Sequence, residues 1–165
     1  MIPTDPEIHG QIPPGRAKMW LLVADEGRAR LFSAEGAKGS LTELRDIIDP
    51  VGRARGQDLV TDRPGRTFDS AGQGRHAMEP STDPTETEAI GFAKRLAETM
   101  DTARMQGRFE YLGLVAPPAF LGHLRKSLSD ETARHVVLEV DKDLTRHDPA
   151  AIRERLPERL INGAA

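Results

Sequence analysis

The sequence predicts an α/β fold, a mixed β-sheet of about five strands that begins with an N-terminal strand meander and has helices packed on it. Three observations predict it. Apolar runs at residues 19–25, 109–117 and 135–141 have the length and composition of buried strands. Helical periodicity separates the later runs but not the earliest ones, so a meander precedes the helical crossovers. An Asp-Pro pair opens two of the helical stretches, at Asp83–Pro84 and at Asp148–Pro149.

Residues 1–17 are rich in proline and polar groups and read as a flexible N-terminal arm ahead of a single α/β domain over residues 18–165. "MWLLVAD" (19–25) is a buried strand, because its apolar residues run together instead of alternating. "RARLFSA" (28–34) sets Arg28 and Arg30 against Ala29 and Leu31, and the intervening "EG" makes the two runs a hairpin. "SLTELRDII" (40–48) is compatible with a third strand and also with a helix. From about 49 to 83 periodicity disappears, and five of the chain's 15 glycines fall between Gly52 and Gly74. Connections of this length are generally functional or disordered.

Asp83 as N-cap, Pro84 at the first helical position and Glu86 three residues after the cap start a long helix. Ile90, Ala93, Ala97 and Met100 recur along it at helical spacing, so it covers one face of the sheet through about Met105. "FEYLGLVAP" (109–117) is a strand, and "PPAFLGHLRKSL" starts a helix whose Leu121, Leu124 and Leu128 share a face. "HVVLEVD" (135–141) is a further strand. Asp148 and Pro149 open a last helix that Pro157 should kink or end.

Composition narrows the function classes. The 165 residues carry a formal net charge of -3, so any nucleic-acid contact has to come from a local patch. Cysteine is absent, which removes disulfides, thiolate nucleophiles and cysteine-ligated metals from consideration. The N-terminus has no apolar stretch of secretory length. The longest apolar run, Met19 to Ala24, is far short of the roughly 20 residues that span a bilayer. A cytoplasmic protein with no membrane span and no cofactor is expected.

The segment from 49 to 83 concentrates the chemistry. Arg53, Arg55, Arg63, Arg66, Arg75 and His76 stand among glycines, and forked guanidinium donors spaced by glycine can grip phosphates while the backbone approaches closely. Only Phe68 could stack on a base, so structured RNA backbone, such as ribosomal RNA or a tRNA, fits better than sequence-specific single-strand recognition. The same arginines could instead pair with Asp62 and Asp69 and pin the segment onto its own fold. Asp25, Asp141 and Asp143 sit at predicted strand ends. They read either as magnesium ligands of a nuclease or as ordinary turn carboxylates. Pro117 and Pro118 withhold N–H donors from an anion at the helix they open. His123, Arg125 and Lys126 fall on that helix's polar side. His9, His135 and His147 have no ligand spacing, so no metal site is expected.

Several blocks together, "WLLVADEGRARLF", "DLVTDRPGRTFDSAGQGRHA", "FAKRLAETM", "LGLVAPPAFLGHLRKSL" and "VVLEVDKDLTRHD", resemble in order and spacing the bacterial host attachment proteins, described as required for attachment to host cells. The resemblance runs from Trp20 to Leu156. That family in turn resembles the middle domain of archaeal and eukaryotic peptide-chain release factors and of the rescue factor Pelota, whose glycine-rich arm carries Gly-Gly-Gln into the ribosome. The corresponding place here reads Ala71, Gly72, Gln73, Gly74. The resemblance implies a ribosome- or tRNA-binding, non-enzymatic role. As alternatives it implies ester hydrolysis of peptidyl-tRNA or a similar substrate through Gly72 and Gln73, or a part in attachment, direct or indirect. Ala71 adds a methyl group where the release factors have their first glycine. An amide such as that of Gln73 could orient water or stabilise an oxyanion without an ionisable group.

Overall fold

The computed structural model describes residues 18–36, 38–52 and 84–161. Its elements are β1 (Lys18–Ala24), β2 (Arg28–Glu35), β3 (Leu41–Ile48), α1 (Pro84–Met105), β4 (Tyr111–Val115), α2 (Pro118–Ser127), α3 (Asp130–Ala133), β5 (Val136–Val140) and α4 (Pro149–Glu154). The sheet order is β3-β2-β1-β4-β5. β1, β2 and β3 form the antiparallel meander, and β4 and β5 extend β1 in parallel. The mixed five-strand sheet expected from the sequence is therefore present, and residues 41–48 take the strand alternative.

β1 lies mid-sheet because it has no face to give to water: every residue from Met19 to Ala24 is buried. Trp20, Leu22 and Ala24 point to one side with Leu31, Leu112 and Leu114, and pack on Phe92, Ala93, Leu96 and Met100 of α1 and on Phe120, Leu121 and Leu124 of α2. Met19, Leu21 and Val23 point to the other with Phe32 and Val115, and meet Leu144, Ile152, Leu156, Leu160 and Ile161. An unbroken apolar run of this kind requires a layer on both sides of the sheet. Gly113 lies opposite Leu21 in the parallel register, where a Cβ would stand 2.7 Å from Leu21 Cδ1.

On the first side α1 supplies most of the cover. Its buried stripe is Ala89, Phe92, Ala93, Leu96, Ala97, Met100 and Ala103, while Ile90 lies at the margin, half-buried. The helix stops at Gly107, whose φ of +69° lets the Arg108 amide turn back and donate to the Ala103 carbonyl. Asp83, the expected cap, lies outside the described residues. α4 does show its cap: the Asp148 carboxylate accepts from the Ala151 amide at 2.8 Å with Pro149 in the first turn, and the helix ends before Pro157.

The second layer has little regular structure, since α4 is only six residues long. Arginines hold it. Arg30, 6 % exposed, grips both carboxylate oxygens of Glu43 on β3 at 2.8 and 2.9 Å. Its remaining Nη1 donates to the carbonyls of Thr145 (3.0 Å) and His147. Arg28 repeats the arrangement with Asp46 at 2.7 and 2.9 Å and with the Thr145 carbonyl at 3.3 Å. Two loop carbonyls facing an apolar sheet would otherwise be buried without donors, at a cost of about 1–3 kcal/mol each. Arg30→Ala should therefore lower the unfolding free energy in urea melts by about 3 kcal/mol. Arg28→Ala, which breaks a more exposed pair, should lower it by about 1 kcal/mol. Small and equal losses would show that the layer is anchored elsewhere.

Candidate functional site

The arginine-rich segment leaves the sheet at the end of β3 and rejoins it at α1. Arg53, Arg55, Arg63, Arg66, Gly72, Gln73, Arg75 and His76 all lie outside the described residues, so what the structure gives is the footing on either side. Asp49, 4 % exposed, follows β3, and its amide donates to the Gly27 carbonyl at 2.9 Å. Residues 50–52 continue in a helical turn so close to the β1–β2 turn that a Cβ on Gly52 would stand 2.6 Å from the Glu26 carbonyl oxygen. Arg95 reaches across from α1, with Nη2 at 3.4 Å from Asp49 Oδ2 and 3.0 Å from Glu88 Oε2. Burial pushes the Asp49 carboxyl above the ordinary carboxylate range, the neighbouring Glu88 carboxyl adds to the rise, and Arg95 opposes it. Ile48 and Val51, close to the buried Asp49 in sequence, are 49 % and 46 % exposed.

The strand-end carboxylates take turn roles. Asp25 Oδ1 accepts from the Gly27 and Arg28 amides, both at 2.8 Å, which closes the β1–β2 turn. Asp25 Oδ2 and Asp143 Oδ1 lie 2.8 and 3.1 Å from the Thr145 hydroxyl, so these two sequence-distant acids do come together. Asp141 is exposed. Among the described residues no group of three or more His, Asp or Glu could hold a metal ion.

Groups on the first side of the sheet join elements. Arg125 is bound to Glu139 of β5, and His123 sets its ring edge-on to Phe120. His135 has Nδ1 2.8 Å from the Glu110 carbonyl and stands edge-on to Phe109. A network that sequence reasoning missed ties α1 to α3: Asp101 Oδ1 accepts from the Ser129 and Thr132 hydroxyls, both at 2.7 Å, and from Arg104 at 3.2 Å. The signal for it was the Ser-x-x-Thr spacing at 129–132, where the Ser129 hydroxyl also accepts from the Thr132 amide as an N-cap. None of the described helices is long and apolar enough to cross a membrane.

A family described as "Protein required for attachment to host cells" matches residues 20–156. The chain belongs to this family. No curated protein matches this host attachment chain. Among solved structures it is similar to an archaeal translation termination factor, aRF1, at 11 % identity and a TM-score of 0.41, over 86 % of this chain and 35 % of that one. It is also similar to the Ppx/GppA phosphatase of Aquifex aeolicus, at 15 % identity and a TM-score of 0.36, over 75 % of this chain and 35 % of that one. The host attachment chain thus spans about a third of the length of each.

The Asp101 network yields a pH test. Hydrogen bonds from Ser129 and then Thr132, with Arg104 behind them, hold the Asp101 carboxyl below the ordinary carboxylate range. A depressed folded pKa means that its contribution is complete above the unfolded value and is lost as pH falls through the folded one. Asp101→Asn should accordingly cost about 1 kcal/mol at pH 7, a modest figure because the pair is partly exposed. In paired urea melts the gap should close below about pH 4. A gap that persists unchanged in acid would mean that packing, not charge, accounts for the loss.

Proposed function

We propose that this host attachment protein is a non-enzymatic binding module whose contact surface is the arginine- and glycine-rich segment around residues 53–76, and that it engages the phosphate backbone of structured RNA. The observation that carries this reading is a partition of charge. Within the described residues Arg28, Arg30, Arg95, Arg104, Arg125 and Arg153 are each bonded to carboxylates, hydroxyls or backbone carbonyls. Guanidinium groups engaged in this way have few donors left for an external phosphate. Arg53, Arg55, Arg63, Arg66 and Arg75 carry the forked donors that phosphate recognition uses, His76 adds an imidazole N–H, and the glycines among them admit close backbone approach.

The choice of ribosome or tRNA among anionic partners comes from the resemblance of the sequence to release-factor middle domains. Attachment to host cells would then depend on the protein indirectly, through translation and what it supplies. Sedimentation with ribosomes should occur at low salt, weaken as salt rises, and fall at least tenfold when Arg63, Arg66 and Arg75 are all changed to alanine, since each lost phosphate contact releases fewer counterions. Sedimentation that is insensitive to both changes would remove the segment from the contact. Recovery of the protein only at the cell exterior on fractionation would favour a direct part in adhesion.

A further inference from the structure

The β1–β2 turn is held from two parts of the chain that lie far from it in sequence. From the 141–148 loop, the hydroxyl of the buried Thr145 lies 2.8 Å from Asp25 Oδ2, and the Thr145 carbonyl accepts from Arg28 at 3.3 Å. From the end of β3, the Asp49 amide donates to the Gly27 carbonyl at 2.9 Å, and Gly52 packs so closely that a Cβ there would stand 2.6 Å from the Glu26 carbonyl oxygen.

Asp25 joins the two sides. Its Oδ1 accepts from the Gly27 and Arg28 amides, both at 2.8 Å. These N–H groups belong to the same two peptide units as the Glu26 and Gly27 carbonyls, and in a planar trans unit the N–H and C=O point in opposite directions. The carboxylate therefore holds one end of each plane, and residues 49–52 rest on the other. The Thr145 hydroxyl has a single hydrogen to give. Asp25 Oδ2 has no other donor among the described residues, whereas Asp143 Oδ1, 3.1 Å from the same hydroxyl, also faces the Thr145 amide at 3.5 Å.

We propose that Thr145 is a positioning residue for the arginine- and glycine-rich segment: its hydroxyl fixes the Asp25 carboxylate, and the carboxylate fixes the two peptide planes that carry residues 49–52, from which the segment departs. This role rests on the reading of residues 53–76 as the contact surface. Thr145→Val removes the hydroxyl at nearly constant shape and frees the carboxylate to turn, while Thr145→Ser keeps the donor.

The test compares amide hydrogen exchange in the free proteins with their affinity for bulk tRNA at low salt. Thr145→Val should raise the exchange rate of the Asp49 amide by at least about tenfold more than it raises those of Leu21 and Leu22 in the middle of β1, because the opening is local to the turn. Its tRNA affinity should fall about fivefold with an unchanged salt dependence, since the same phosphates are met by a segment less often correctly placed. Thr145→Ser should restore both. Equal acceleration at Asp49 and in β1 would reduce the hydroxyl to a contributor to global stability and overturn the proposal, as would lost Asp49 protection with tRNA affinity unchanged. A wild-type protein that binds no tRNA would instead remove the reading of the segment, and the exchange comparison would still decide whether Thr145 holds the turn. Should Thr145→Val not fold, the wild-type protein alone decides that point: the Gly27, Arg28 and Asp49 amides should open as one unit, with protection factors within about tenfold of one another, and a wider spread would overturn it.

Discussion

The contact on which this architecture depends is the double grip of Arg30, buried on the sheet, on the carbonyls of Thr145 and His147 more than a hundred residues away in sequence. β1 is apolar on both faces, so the sheet cannot remain single-sided. Its first face is covered by two regular helices, which satisfy their own backbone. The second is covered by a loop, one short helix and an irregular tail, whose carbonyls need donors from outside. Arg28 and Arg30 project from β2 beside the apolar Met19, Leu21, Val23 and Phe32 surface and supply those donors. Glu43 and Asp46 on β3 balance their charge.

The same economy of charge shapes the functional reading. A guanidinium that already holds a carboxylate and a carbonyl would have to break both to take a phosphate, and a buried one would leave its partners without donors. Arg28, Arg30, Arg95, Arg104, Arg125 and Arg153 are in that sense already committed to partners within the described residues. The cationic residues proposed as a contact lie in the segment that departs next to Asp49. Their footing is set by two features, the close approach of Gly52 to the β1–β2 turn and the Arg95 bridge from α1.

Much of the fold was legible because it rests on local pattern. The unbroken run from Met19 to Ala24 announced a strand buried on both sides, and Asp148–Pro149 announced a helix start with the cap that the structure shows. What escaped was set by distant partners. Alternation at Arg28–Leu31 normally marks a strand with one wet face, yet here that face is covered, and only the position of residues 144–147 decides it. Asp49 looked like the first residue of a loop, and its burial depends on the β1–β2 turn and on α1, neither of which is adjacent to it in sequence. Asp25 and Asp143 were legible as strand-end carboxylates, but the Thr145 hydroxyl that joins them was not. α3 is four residues long, too short for periodicity to register. The arginines and the Gly72–Gln73 pair were singled out on composition and resemblance alone, and they lie outside the residues the structure describes.

Whether phosphate recognition belongs to that segment or to the sheet and its helices is read most directly from backbone and guanidinium NMR resonances as bulk tRNA is added at low salt. The charge partition predicts that the signals which move belong to residues 53–83, while the guanidinium signals of Arg28, Arg30 and Arg125 keep their positions. Movement centred on the sheet, its helices or the 141–148 loop, with the glycine-rich segment unaffected, would contradict it.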